Sequence, residues 1–249
     1  MKRISIILGL VLMTSCNSEG AFDCIQTADN TVQVEIPVSN FTKILVNRDI
    51  ELIITEGAIP KVIIESGENL IPDIEAFVVN DELQLVDNNT CNYVRDYGIT
   101  KIHVTSPNIT EIRNSSQYEI SSNGVLNYPS LVLNAEDFNV PDSFTVGDFR
   151  LQLNSFSVQI NSNNIASFYL SGQTENLTVG FFAGAGRFEG QDLIADHVNV
   201  FHRGSNDMIV NPQLSLTGEL RGTGDLISLN EPALVDVQSF YQGQLIFQD

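Results

Sequence analysis

From Thr31 onward the apolar residues of this chain fall at every second position. Val32, Val34 and Ile36 form one set, Ile50, Leu52 and Ile54 another, and Val62 with Ile64 and Leu83 with Leu85 continue the pattern. A period of two turns one side of a segment toward a core and the other toward solvent, which predicts β-strands. Turns are marked by Glu56-Gly57, Ser66-Gly67 and Asn80-Asp81. No stretch after residue 30 keeps the spacing of an amphipathic helix. No Pro-rich or Ser-rich linker interrupts residues 31–249, so an all-β chain folding as one domain is expected there.

A longer rhythm is laid over this alternation. NSSQYEI begins at Asn114, NAEDFNV at Asn134 and NSFSVQI at Asn154. Tyr118, Phe138 and Val158 keep the same step of twenty, as do Ile120, Val140 and Ile160. A fixed period in the twenties signals stacked units that cannot bury their apolar faces alone. It predicts a parallel β-solenoid whose first coils are the alternating N-terminal strands. Asn114, Asn134 and Asn154 would sit at corners, one above another, with Tyr118, Phe138 and Val158 stacked inside. Past Ile160, glycine takes over the corners at Gly184, Gly204, Gly222 and Gly224, where it adopts positive φ at no steric cost. In RGSNDMIV and RGTGDLIS the glycines are followed by strand residues. A phosphate-binding loop would continue into a helix and carry a lysine, and no lysine follows Lys101.

The N-terminus opens MKRISIILGLVLMTSC, with Lys2 and Arg3 ahead of an apolar run from Ile4 to Met13. That run is shorter than the roughly 20 residues needed to span a bilayer, so it reads as a secretory signal. Met13-Thr14-Ser15-Cys16 is similar to a bacterial lipobox, which implies lipidation of Cys16, with cleavage as an ordinary secretory signal as the other reading. Residues 1–15 would be the signal, 16–30 a tether and 31–249 the domain. Asn17 after the cysteine favours the outer membrane, with the domain on its periplasmic or its cell-surface side, and the lipid makes the membrane a partner. With Cys16 taken, Cys24 and Cys91 remain in an oxidising compartment, as a disulfide or as two free thiols.

The formal net charge of −19 removes nucleic acid from the list of partners, because a polyanionic backbone needs a basic footprint. The acidity reads as surface solvation.

Three segments resemble the bacterial head GIN domain family of auto-transporter adhesin heads: FTKILVNRDIELIITEG, SPNITEIRNSSQ and DHVNVFHRGSNDMIVNPQLSLTGELRGTGDL. The resemblance runs from about Phe41 to Phe247, and Gly204, Asp207, Gly222, Gly224 and Asp225 follow the family's glycine-aspartate rhythm. It implies a single-stranded right-handed β-helix, a lipoprotein, and a binding or adhesive role with a surface glycan or envelope protein as ligand. It brings no catalytic residue and no cofactor. A pectate-lyase-like carbohydrate-active enzyme is the alternative.

Candidate chemistry is sparse. His103 lies in a strand, and His197 and His202 fall on opposite faces of theirs, a poor arrangement for a metal. No serine sits in a nucleophile elbow. Asp207 and Asp225 occupy matching corners beside Arg203 and Arg221. The arginines read as neutralising partners of the stacked acids, with calcium binding or lyase chemistry as the other readings. Phe181-Phe182 reads as core or coil packing, with a sugar platform as the other reading, and Tyr241 as a surface ring able to stack on a sugar.

Overall fold

The computed structural model describes residues 22–89, 91–138, 140 and 143–248. Cys16 and the segment 1–15 lie outside the described residues. The fold is all-β: among the described residues seventeen strands form one sheet, accompanied by two single-turn 3-10 helices, Asp23–Ile25 and Ile71–Asp73. No helix among these residues is long and apolar enough to cross a membrane.

The C-terminal half is a regular stack of rungs. β11 (Phe149–Ser162), β12 (Ser167–Phe181), β13 (Arg187–His202) and β14 (Met208–Leu220) lie parallel, each beside the next. Along β11 the buried positions switch from odd to even between Ser155 and Val158, which divides the strand into two halves. The halves continue as separate strands at both ends of the stack. β9 (Ile120–Leu126) and β10 (Ser130–Ala135) flank the two halves of β11 on one side. On the other, β15 (Leu226–Ser228) and β16 (Leu234–Ser239) flank the halves of β14, and β17 (Leu245–Phe247) lies beyond β15.

Register places like with like. Phe149, Phe168, Phe188, Met208 and Leu226 form one buried column, and Val158, Leu177, Val198 and Leu216 another. The rings of Phe149 and Phe168 stack 4.9 Å apart and 7° from parallel. Each such side chain removed from water contributes about 1.5–3 kcal/mol, so the columns are the main source of cohesion along the stack.

The N-terminal half departs from expectation in two ways. β2 (Lys43–Val46) and β3 (Ile50–Glu56) do form a rung, but it is inserted between later ones. β2 lies parallel between β6 (Glu82–Asp87) and β8 (Glu111–Asn114), and β3 between β7 (Thr100–Ser106) and β9. In addition, three strands run antiparallel, two of them holding alternating sets expected in the first coils, Val32 to Ile36 and Val62 with Ile64. β1 (Thr31–Ile36) pairs with β4 (Lys61–Gly67), β4 with β7, and β5 (Ile74–Val79) with β6. They cover that end of the stack.

The asparagine column is not at a step of twenty. Asn114 stands beside Val46, Asn134 between Arg113 and Asn161, and Asn154 beside Gln173. Asn134 and Asn154 are strand residues. Asn114 closes β8 and accepts the Ser116 N–H at 2.8 Å, starting a turn. The step fails because the residue of β11 beside Ile120 is Phe149, twenty-nine positions on rather than twenty. Phe138 and Val140 consequently face outward, while Ile120, Val158 and Ile160 are buried.

Gly184, Gly204, Gly222 and Gly224 lie in bends between successive strands. Only Gly184 has positive φ, +84°. Gly222 and Gly224 are needed for closeness instead, since a Cβ on either would run into the carbonyl oxygen of Gly204 or Asn206 in the neighbouring corner.

The segment expected as a tether is bound to the domain from Asp23 on. Cys24 and Cys91 are joined in a disulfide, with Cα atoms 4.4 Å apart. Arg95 Nη2 meets Asp23 Oδ1 at 2.9 Å, and Gln26 Nε2 donates to the Asn69 carbonyl at 3.0 Å.

Candidate functional site

The stacking register assembles a groove on the outer face of the second column. Glu111 and Arg113 come from β8, Val132 and Asn134 from β10, Asn161 from β11, Phe138 from the loop after β10, and Phe182 from the residue after β12. Outward residues of neighbouring parallel strands lie side by side, which brings Arg113 against Asn134 and Asn134 against Asn161. The cavity volume is about 540 Å³.

Its floor is a chain of amides. Asn161 Nδ2 donates to Asn134 Oδ1 at 2.8 Å, and Asn134 Nδ2 donates to Glu111 Oε1 at 2.8 Å. Glu111 Oε2 also faces Lys43 Nζ at 3.5 Å. A nearly buried ion pair stiffens one wall. Arg113 donates through Nη2 to Glu136 Oε1 at 2.8 Å and through Nη1 to the Glu136 carbonyl at 2.9 Å. The other carboxylate oxygen of Glu136 accepts the Phe138 N–H at 2.7 Å. With both partners this dry, the charges hold each other and fix the loop that carries Phe138.

The opposite wall is aromatic. Gly180 lies between Asn161 and Phe201 in the register, and Phe182 folds back over it: a Cβ on Gly180 would come 2.8 Å from the ring's Cζ. The Phe182 ring meets Phe138 edge-on at 6.0 Å and Phe201 at 5.5 Å. Phe138 is 62% exposed. A ring ledge beside a ladder of fixed amides suits a ligand with apolar faces and polar edges.

Of the residues expected from sequence to matter, only Asn134 lines this groove. Cys24–Cys91 lies in the N-terminal half, the glycines at the corners. Sequence reading missed Glu111, Arg113, Glu136, Phe138 and Phe182. The pair Phe181-Phe182 did carry a signal, because adjacent strand residues point to opposite faces and both cannot be core. Phe181 is buried and Phe182 is on the ledge.

The corner aspartates act within the backbone. Asp207 Oδ1 accepts the Asp225 N–H at 2.9 Å, and Asp225 Oδ1 accepts the Gln244 N–H at 2.8 Å. Among the described residues neither is in an ion pair. Arg221 instead meets Glu219 at 2.5 Å and stacks 4.1 Å over the Phe240 ring. Among the described residues no group of three or more His, Cys, Asp and Glu is placed to hold a metal. His103 faces Glu65 at 3.3 Å and His197 faces Ser215 at 2.8 Å.

The family model described as "Putative auto-transporter adhesin, head GIN domain" matches residues 40–232. Several solved structures share the fold. A "putative adhesin" from Bacteroides fragilis superposes with a TM-score of 0.79 at 18% identity, over 89% of this chain and 99% of that one. A "putative lipid binding protein" from Parabacteroides distasonis gives 0.59 at 14% identity, over 88% and 97%. A "putative adhesin" from Parabacteroides merdae gives 0.57 at 14%, over 88% and 96%. No curated protein matches the chain.

Proposed function

Because the chain belongs to the head GIN domain family, we propose that it is a non-enzymatic cell-envelope protein with an adhesive role, binding a carbohydrate or protein ligand on its lateral face. The observation that carries this reading is the groove in which the Phe138–Phe182–Phe201 ledge stands beside the Glu111–Asn134–Asn161 ladder. Its polar groups are already oriented by bonds to one another, so little ordering cost remains when a ligand arrives.

We read the stack as a right-handed parallel β-solenoid. Successive rungs are parallel and offset by near-constant lengths, as in Phe149, Phe168 and Phe188, and parallel crossovers are overwhelmingly right-handed. We place the protein at the outer membrane, held by a lipid on Cys16, on the strength of the signal-like residues 2–16. Replacing Cys16 by Ala is expected to move the protein from the membrane fraction to the aqueous one.

The purified chain is to be tested on arrays of glycans and of envelope proteins. Binding is expected, weakened at least about tenfold, or 1.4 kcal/mol, in Phe182→Ala and Asn161→Ala. Absence of any binder on both arrays, or turnover of a polysaccharide, defeats the proposal.

A further inference from the structure

The two ends of the stack are unlike. At the N-terminal end β1, β4 and β5 lie across it in antiparallel pairing, with Lys61–Glu35 at 2.9 Å on the outer strands. At the other end the core columns run out into solvent. Val235 continues the column of Leu216, and exposure rises from 0% at Leu216 to 37% at Val235. Leu234, Phe240, Tyr241 and Ile246 are 57, 51, 64 and 43% exposed.

This end also carries little charge for a strongly acidic chain. Between Leu234 and Phe247 the only charged residue is Asp236. Edge strands are ordinarily blunted by charge, and interface centres are depleted of it.

We propose that the C-terminal rung is a self-association surface, on which a second copy of this chain docks edge to edge about a twofold axis through Val237.

The backbone sets the pairing. The Phe240 N–H donates to the Leu220 carbonyl at 2.8 Å. By the alternation of a strand, residues 235, 237 and 239 therefore turn their N–H and C=O groups away from β14, toward the open edge. An antiparallel partner must pair odd residues with odd ones to keep its apolar side chains over the core. Two central registers satisfy this. One sets Val235 opposite Val237 and puts Asp236 against its own copy. The other sets Val237 opposite Val237, Val235 opposite Ser239 and Asp236 opposite Gln238. Like charges directly opposed in a sheet are unfavourable, and a carboxylate facing an amide is bonded, so the second register is selected. A second copy fits because the edge is complementary to itself in this register. A head-to-tail stack is closed off by the antiparallel cover at the far end, so the assembly stops at two.

Sedimentation velocity of the purified chain over a range of concentrations tests this. The wild type is expected to pass from monomer to dimer. Val237→Pro removes an edge N–H that β14 does not use and is tolerated on an edge strand. It is expected to weaken the dimer at least about tenfold, with the monomer's melting temperature nearly kept. Gln238→Asp, a surface change, sets two carboxylates opposite each other on each side of the axis; it is expected to weaken the dimer at low salt and to recover at high salt. A wild type that stays monomeric up to about 100 μM, or a dimer of unchanged affinity in both variants, overturns the proposal.

Discussion

Gly222 and Gly124 are both glycines on the outside of the stack, yet they do different work. A methyl group on Gly222 meets the Gly204 carbonyl, whereas around Gly124 there is open space and only its φ of +93° opposes a side chain. Gly222→Ala is therefore expected to cost about 3 kcal/mol or more, because neighbouring corners must move apart. Gly124→Ala should cost about 1–2 kcal/mol; equilibrium denaturation of the two variants checks the contrast. His202 sits among these corners, buried, with Nδ1 accepting the Gly204 N–H at 3.3 Å. Burial holds its pKa below the ordinary 6.5, outweighing the opposite pull of a hydrogen bond to the Asn206 backbone and of Asp207 and Asp225. As pH falls through 6.5 the unfolded chain takes up a proton that the folded one refuses. Stability from this residue is thus present above that pH and lost below it, at up to about 1.4 kcal/mol per pH unit until the folded pKa is reached. His202→Gln is expected to flatten that slope just below about pH 6.5 in urea titrations.

At the level of strands, alternation in the sequence located β1, β3, β4 and β6, because a half-buried strand advertises its two faces residue by residue. Pairing partners were less legible. The step of twenty joining Asn114, Asn134 and Asn154 is a coincidence in an asparagine-rich chain. The asparagines that do meet, Asn134 and Asn161, are separated by an inserted loop whose length no periodicity encodes. The groove was hidden for the same reason: Glu111, Arg113 and Phe182 are distant in sequence and come together only through register. At the N-terminus the disulfide closes a covalent loop whose ends are 67 positions apart in sequence. Replacing Cys24 and Cys91 by Ser is expected to lower stability by about 4 kcal/mol in the chain-entropy account. Reduction of the wild type should give a matching shift in the urea midpoint.

For the molecule as a whole, rung order matters as much as rung composition. The strands β12, β13 and β14 each pair with the next in sequence, whereas the rung of β2 and β3 is clamped between rungs made later in the chain. Under tension between its ends, such an object gives way from one side. The C-terminal rungs unzip in reverse order, each paying out about 20 residues, or roughly 70 Å of contour at full extension. The clamped rung cannot lead, since both of its neighbours must part first, and the Cys24–Cys91 bridge carries the load past residues 24–91. A tug therefore consumes the far end piece by piece, dissipating work at every step, while the N-terminal end stays whole.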